Sequence, residues 1–203
     1  MPRRYVQTAR AEAAQETRRA ILDAARATLL GDGPLTVGIG EIAARSGVAR
    51  STVYAIFGSR AGLLAALSDD VLHGAGLDEV IDAYFDPDPV RAIERSFHAA
   101  TRMFAADREA FARMQVLAKI DPEAAGPVEA SDRDRQGGMD ELGRRLEAAG
   151  RLRAGIDPVA AARMLSVLTT FGAWDELANK RGLDPEAVAE VLLAMARAAV
   201  IAD

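Results

Sequence analysis

A run of eight residues, RSTVYAIF at positions 50–57, carries side chains that suit contacts with a polyanion and with nucleobase edges. At helical spacing Val53, Ile56 and Phe57 share one face and favour burial. The other face then carries a cation, two hydroxyls, a phenol and a methyl group, from Arg50, Ser51, Thr52, Tyr54 and Ala55. Such groups bind phosphate oxygens and base edges, so the run predicts a helix that reads nucleic acid.

The preceding segment supplies the partner that such a helix needs. Residues 40–46 predict a short amphipathic helix with Ile42 and Ala43 inward and Arg45 outward. Ser46 and Gly47 follow, and glycine adopts the positive φ that a sharp reversal of the chain requires. Two short helices joined in this way predict a helix-turn-helix, whose second helix enters the DNA major groove.

The run GVARSTVYAIFGSRAGLLAAL at positions 47–67 resembles the signature of the TetR family of one-component transcriptional regulators, GV-x-[KR]-x-T-[LV]-Y-x-x-F-x-[SN]-[KR]-x-x-L-L. The segment Thr17–Gly33 resembles the first helix of that family. The resemblance covers about the first third of the chain, and the remainder matches in length and helical character. It implies an all-α protein, with a three-helix DNA-binding head and a larger helical body for ligand binding and dimerisation.

The same resemblance assigns expected roles around the motif. Arg60 stands where the family places a phosphate-contacting lysine, and Gly38 stands where a capping threonine is common. Glycine is an acceptable N-cap, and the nearby Thr36 is the replacement for the lost phosphate contact. Together the motif and the resemblance predict DNA contacts from Thr36, Arg45, Arg50, Ser51, Thr52, Tyr54 and Arg60.

Charge is distributed unevenly along the chain. The net charge of the whole chain is −5, which alone argues against nucleic acid. Residues 1–60 nevertheless hold nine arginines against five acidic residues, while the rest holds 16 basic and 25 acidic residues. A head of charge +4 on a body of charge −9 is typical of a DNA-reading domain joined to a domain that does not bind DNA.

The chain lacks the residues that several classes of function require. The chain has no cysteine and two histidines, His73 and His98, so we expect no cofactor and no metal site. No nucleophile triad, HExxH motif or phosphate loop occurs at working spacing, so we do not expect an enzyme. No apolar run reaches the ~18 residues of a membrane span, and the N-terminus is too polar for a signal peptide. The expected location is therefore cytoplasmic, without a membrane partner.

Helical periodicity and punctuation by proline and glycine predict the organisation of the chain. Residues 1–16, with Arg3, Arg4 and Arg10, form a flexible basic arm, 17–60 the DNA-binding head and 61–203 the body. Body helices are expected at residues 89–106, 108–120, 139–149, 158–180 and from Pro185 onward. The segment Asp121–Gly138, rich in charge, proline and glycine, is either a mobile loop or a poorly formed helix.

Apolar residues of the body divide between two expected roles. The resemblance implies that the last two helices pair with a second copy as a four-helix bundle, through Leu168, Val188, Val191, Leu192 and Met195. Large side chains that either line a ligand pocket or form ordinary core are Phe97, Met103, Phe104, Met114, Leu117, Phe171 and Trp174. His98 and Arg102 are either polar anchors of that pocket or exposed helix positions.

The expected function is regulation of transcription. The resemblance implies a homodimeric repressor that binds a palindromic double-stranded operator and is released by a small, largely apolar effector. A DNA-binding activator, or a regulator without small-molecule control, is the alternative. The sequence identifies neither the effector nor the operator.

Overall fold

The chain is built from helices. The computed structural model describes Pro2–Ala202, with side chains from Ala11 onward. Within that range there is no strand, and an isolated bridge joins Leu152 and Ile201, so the predicted all-α class is confirmed. The helices are α1 (Pro2–Leu29), α2 (Ile39–Ser46), α3 (Arg50–Phe57), α4 (Arg60–Gly74), α5 (Leu77–Tyr84), α6 (Pro89–Ala106), α7 (Arg108–Ile120), α8 (Pro122–Ala148), α9 (Pro158–Leu168), α10 (Phe171–Asp175) and α11 (Pro185–Val200), with a π-helical segment at Glu176–Lys180.

These helices form two compact units. The first comprises the chain up to Val71 together with Ala112–Val128, and the second comprises Leu72–Phe111 together with the chain from Glu129 onward. The first unit is thus larger than the predicted head at 17–60, since it also contains most of α4 and a piece of the predicted body. None of the helices between Pro2 and Ala202 is both long enough and apolar enough to cross a membrane.

The first unit contains the predicted helix-turn-helix. Gly38 lies at the N-cap of α2, and Gly47 follows its last residue with φ +71°, the left-handed conformation that glycine adopts without strain. The inward faces of α1 to α4 are fully buried at Ile21, Leu29, Ile42, Val53, Leu63, Leu64 and Leu67. The short α2 and α3 are therefore held by packing, since isolated helices of eight residues are unstable in water.

The first helix is longer than predicted. It begins at Pro2 rather than near Thr17, so helical backbone runs through the residues that we expected to form an arm. Alanine, glutamine, glutamate and arginine fill residues 9–16 and are good helix formers. The side chains of Arg3, Arg4 and Arg10 lie outside the described set, and their contact with DNA stays a prediction.

The segment 121–138 is helical and forms the first part of α8. Asp121 starts the helix, because its carboxylate accepts hydrogen bonds from the backbone N–H groups of Glu123 (3.0 Å) and Ala124 (3.4 Å). Pro122 occupies the first helical position, where the missing N–H costs nothing. Pro127 lies within the helix, and it removes one intrahelical hydrogen bond without ending the helix.

The second unit is a helical body with α6 in contact with α5, α10 and α11, and α9 in contact with α10 and α11. The helix predicted at 158–180 is interrupted after Leu168. The Thr169 hydroxyl donates to the carbonyl of Leu165 (3.0 Å), and the Thr170 hydroxyl accepts from the N–H of Ala173 (3.2 Å), which starts α10. Side-chain hydrogen bonds of this kind compete with the helix ladder and divide the segment in two.

The turn between α5 and α6 is organised by a buried carboxylate. Asp86 accepts hydrogen bonds from Arg91 Nε (3.0 Å), from Arg95 Nη1 (3.0 Å) and from the N–H of Asp88 (3.0 Å). These bonds, chiefly that of Arg91, hold the pKa of Asp86 well below its ordinary value. Arg145 donates to the carbonyls of Tyr84 and Asp86, which joins the same turn to α8.

We therefore expect Asp86→Asn to lower the melting temperature at pH 7. The native pKa of Asp86 lies below the unfolded value of about 3.9, so the carboxylate stabilises the fold above that value. The stabilisation is lost as the pH falls through the native pKa. Thermal melts from pH 7 to pH 3 should show the difference from wild type shrinking below about pH 4. Asp82→Asn, at an exposed position on α5, is the matched control. An equal loss in both variants, or a pH-independent one, would contradict this role.

Candidate functional site

The outer face of α3 presents the polar side chains predicted from the sequence. Tyr54 is 49% exposed, Arg50 and Ser51 are exposed, and Thr52 is half-buried. Val53 is fully buried on the opposite face, which fixes the rotation of the helix. The structure therefore brings a cation, hydroxyls and a phenol to one solvent-facing surface, defined below as the α3 face: Arg50, Ser51, Thr52 and Tyr54.

Side chains from α2 and from the loop before it flank this face. The Arg50 guanidinium lies against Gly40, so closely that a Cβ atom at position 40 would come within 2.5 Å of Nη2. Arg45 forms an exposed i,i+4 ion pair of 3.7 Å with Glu41, which is weak enough to exchange for a phosphate. Thr36 is exposed in the loop. Six of the seven predicted DNA contacts thus present polar groups on the surface of the first unit.

Cations of other helices hold α3 and its neighbours in place. The Arg18 guanidinium lies 5.2 Å from the ring centroid of Phe57, a cation–π contact between α1 and the end of α3. Arg113 of α7 donates to the carbonyls of Leu29 (3.2 Å) and Gly31 (2.8 Å). The carbonyl of Leu29 ends α1 and that of Gly31 lies in the turn that follows, so Arg113 caps the C-terminal end of the helix.

Arg60, the seventh predicted contact, is already bound within the protein. Its Nε donates to the carbonyl of Val37 (2.9 Å), and its other nitrogens donate to the carboxylates of Asp121 and Glu123. The bond with Asp121 is the main cause that raises the pKa of Arg60 and lowers that of Asp121. The guanidinium is therefore occupied and is not available to phosphate in this conformation, which differs from the sequence expectation. Nothing in the spacing of the residues indicated this pairing across 61 positions.

A small cavity of about 10 Å³ lies in the second unit. This volume holds the centre of about one water molecule. Four helices and the threonine break line it: Phe97, Ala100, Thr101 and Phe104 of α6, Leu168 of α9, Thr169 and Thr170 of the break, Trp174 of α10 and Leu192 of α11. Phe97, Phe104 and Trp174, three of the residues expected either in a ligand pocket or in ordinary core, line this cavity, and their contact with a ligand stays a prediction.

The other predicted pocket residues do not line the cavity. Phe171 contacts the wall, because its ring centroid lies 5.5 Å from those of both Phe104 and Trp174. Met103 is buried in α6 without lining the cavity, and Met114 and Leu117 are core residues of the first unit. The lining residues that sequence reasoning missed are mostly small or hydroxylic, and their one sequence signal was the adjacent pair Thr169–Thr170 after an apolar helix.

His98 and Arg102 lie outside the cavity lining. Arg102 pairs with Glu79 of α5, and His98 lies between two carboxylates of α11, with Nδ1 3.3 Å from Glu186 and Nε2 3.6 Å from Glu190. One ligand atom from each of these three residues lies within 4.8 Å of the others, so the group could hold a cation. Both glutamates are exposed, and exposed carboxylates of this kind are common without an ion.

Two helices of the second unit carry apolar residues on their outer sides. Val159, Met164 and Val167 of α9 and Met195 of α11 are between 37% and 65% exposed. The same side of α11 adds small residues, Ala187, Ala194 and Ala198, and the half-buried Val191. Of the predicted interface residues, Val188 and Leu192 are instead buried within the chain, and Leu168 lines the cavity. Helices that are apolar on more than one side do not reveal from sequence which side faces the core.

Comparison with known proteins agrees with this architecture. Residues 21–67 match the sequence profile of bacterial regulatory proteins of the tetR family. The HTH-type transcriptional repressor LfrR of Mycolicibacterium smegmatis is 51% identical over 59 residues, which are 29% of this chain. That match spans only 30% of the length of LfrR.

Two solved structures resemble nearly the whole chain. NalD, the secondary repressor of the MexAB-OprM multidrug efflux pump in Pseudomonas aeruginosa, is 26% identical with a TM-score of 0.74, over 94% of this chain and 98% of NalD. SmeT, the repressor of the Stenotrophomonas maltophilia multidrug efflux pump SmeDEF, is 27% identical with a TM-score of 0.72, over 94% of this chain and 93% of SmeT. SmeT has also been solved as a complex with triclosan.

The profile match covers the helices that carry the α3 face, and the structural matches extend over the body. The same chain order of a helix-turn-helix head and a helical body is therefore shared along nearly the full length. Residues 21–67 are therefore similar to the tetR family of bacterial regulatory proteins, and nearly the whole chain is similar in fold to the repressors NalD and SmeT.

Proposed function

We propose that this protein is a dimeric, sequence-specific DNA-binding repressor whose affinity for its operator is lowered by a small, largely apolar effector. The observation that carries the proposal is the α3 face, which presents the exposed Arg50, Ser51 and Tyr54 and the half-buried Thr52, while Val53 is buried on the opposite side of the helix. Side chains that stabilise no other part of the protein are free to bind a partner, and their chemistry fits phosphates and base edges.

The relatives support repression and an apolar effector. LfrR, NalD and SmeT are repressors. NalD and SmeT are repressors of multidrug efflux pumps, and SmeT forms a complex with triclosan. An effector that binds the DNA-incompetent conformation better lowers operator affinity, typically by about five- to 150-fold. The small volume of the cavity favours the alternative of a regulator without small-molecule control, and a release assay decides between them.

The first prediction concerns the α3 face. Arg50→Ala combined with Tyr54→Phe should weaken binding to a DNA site selected from a random pool by the wild-type protein. We expect a loss of at least about tenfold, because each hydrogen bond to a charged group contributes about 1.5–3 kcal/mol. The melting temperature should be nearly unchanged, since both side chains are exposed.

Quantitative gel shifts measure this loss. Arg133→Ala, which removes an exposed arginine of the second unit, serves as the matched control and should bind like wild type. Wild-type affinity in the double variant would rule out the α3 face as the reading surface.

Arg60 allows a second test, because its two possible roles have opposite signatures. As an internal clamp, its removal in Arg60→Ala should lower the free energy of unfolding by about 2–3 kcal/mol and leave the salt dependence of DNA binding unchanged. As a phosphate contact, its removal should flatten the log–log salt slope by about 0.9 for each half-site. We expect the clamp, since the guanidinium already has three protein partners.

Denaturant melts and salt titrations below the melting temperature distinguish these roles. Combining Arg60→Ala with Asp121→Asn should then cost little more than Arg60→Ala alone, because the two residues act as a pair. If Arg60→Ala leaves the free energy of unfolding unchanged and flattens the salt slope, the clamp is wrong and Arg60 contacts phosphate.

The reading geometry and the exposed apolar sides of α9 and α11 support dimerisation. A single short helix makes few base contacts, whereas a two-fold dimer places two helices on half-sites separated by about 34–36 Å or its multiples. We propose that a second copy covers the surface formed by Val159, Met164, Val167 and Met195, with the small residues of α11 allowing close approach.

Val167→Glu should therefore produce a monomer that folds normally but binds the selected DNA weakly. The valine is 65% exposed in the single chain, so a carboxylate there is hydrated in the monomer and desolvated in the dimer, at a cost of several kcal/mol. Light scattering at micromolar concentration measures the assembly. Val116→Glu, at a 50% exposed position on α7, is the control and should remain dimeric. A wild-type monomer, or a dimeric Val167→Glu, would exclude this interface.

A further inference from the structure

The indole of Trp174 has a hydrogen-bond donor without a partner. Trp174 is 3% exposed, and its Nε1 is the one buried side-chain nitrogen or oxygen without a hydrogen-bond partner among the described side chains. Buried polar groups in folded proteins nearly always have a partner, so an unpaired one calls for an explanation. The same indole lines the cavity of the second unit.

The other polar groups around the cavity have already committed their protons. The Thr101 hydroxyl donates to the carbonyl of His98 (2.9 Å), that of Thr169 to Leu165 (3.0 Å), and that of Thr170 to Val167 (2.9 Å). Among the polar side chains of the lining, Trp174 Nε1–H is thus the donor without a partner in the protein. Because the lining contains no charged side chain, an ionic ligand would lose its hydration without compensation.

Aromatic rings surround the indole. The ring of Phe171 stacks on Trp174 at 5.5 Å between centroids with an interplanar angle of 30°, and Phe104 lies 6.0 Å away. Phe111 adds a stacked contact to Phe171 at 5.8 Å. Rings of this arrangement favour a flat aromatic guest that replaces one ring–ring contact by another.

The segment that carries the indole has two interruptions. The helix stops at Thr169 and Thr170, and after the five residues of α10 the chain adopts a π-helical turn at Glu176–Lys180. π-helical turns occur frequently at functional sites. The cavity holds about one water, so a larger guest requires its wall to move, and α10 is the part of the wall that lies between the two interruptions.

We propose that Trp174 Nε1 is the hydrogen-bond donor of the effector site, and that the effector is a neutral aromatic molecule with an oxygen acceptor directed at the indole. The inference rests on the proposed effector-controlled function and specifies the chemistry of the effector. The acceptor satisfies the unpaired N–H, the rings stack on the guest, and the enlargement of the cavity moves α10.

Benzophenone and diphenylmethane test this assignment, because both carry two phenyl rings and only benzophenone has an acceptor. Trp174 is the single tryptophan of the chain, so the full-length ¹⁵N-labelled protein shows one indole N–H resonance. We expect benzophenone to move that resonance downfield, and diphenylmethane to move it little. In calorimetry benzophenone should bind at least about tenfold more tightly, since a buried donor left unpaired is costly.

Two variants test whether the benzophenone oxygen accepts its hydrogen bond from the Trp174 indole. Trp174→Phe keeps an aromatic ring and removes the N–H, so the preference for benzophenone should vanish while diphenylmethane binding persists. Thr101→Val replaces a lining residue by one of similar size without the hydroxyl, and this variant should keep the preference for benzophenone. The assignment is overturned by equal affinities in wild type, by a preference that survives Trp174→Phe, by an indole resonance that benzophenone does not move, or by binding of neither probe up to its solubility limit.

Operator binding of the same preparations separates this inference from the proposed function. A protein that binds its selected DNA, and is released by a compound that leaves the indole resonance unmoved, refutes the Trp174 site and leaves the regulator intact. A protein that binds no selected DNA refutes the proposed function, whatever the two probes do.

Discussion

The guanidinium of Arg60 joins three parts of the first unit that are far apart in the chain. It links the start of α4 to the loop carbonyl of Val37 and to the carboxylates at the start of α8. The same Asp121 carboxylate begins α8 by accepting backbone N–H groups. Because one ionic group serves two purposes, the position of α4 beside α3 and the first turn of α8 depend on a single charge balance. The ion pairs of Arg60 therefore tie the segment Ala112–Val128 to the rest of the first unit. The cap that Arg113 provides to α1 does the same.

Local signals were sufficient for the helix-turn-helix. Gly47, the buried Val53 and the exposed Tyr54 follow from turn chemistry and from the 3.6-residue period, and the structure places each as predicted. The pairing of Arg60 could not be derived, because an ion pair between residues 61 apart leaves no trace in spacing. The helical state of Asp121–Gly138 was also beyond local reasoning. Its proline and glycine content favours a loop, whereas the capping carboxylate of Asp121 and the burial of Ala124 stabilise a helix.

The body shows where periodicity fails. In α11 nearly every side is apolar, so the sequence indicated burial without distinguishing the side that faces the chain's own core from the side left uncovered. Leu192 and Val188 face the core, whereas Met195 is 53% exposed. Three of the large residues expected either in a pocket or in the core, Phe97, Phe104 and Trp174, line the cavity. The role of Thr169 and Thr170 could not be predicted from the sequence. Their hydroxyl hydrogen bonds interrupt a helix, and these bonds depend on side-chain rotamers that the sequence does not specify.

The contact of Arg50 with Gly40 has a consequence for how the DNA preference of this protein could diverge. The glycine lies on α2, outside the α3 face, yet it provides the space in which the guanidinium rests. A methyl group at position 40 would collide with the flexible end of Arg50 and not with backbone, so the side chain would be redirected while the helices stayed in place. If the α3 face reads DNA as proposed, alanine or serine at position 40 redirects Arg50 while every residue of α3 is kept, so this position belongs in a library selected for altered DNA specificity.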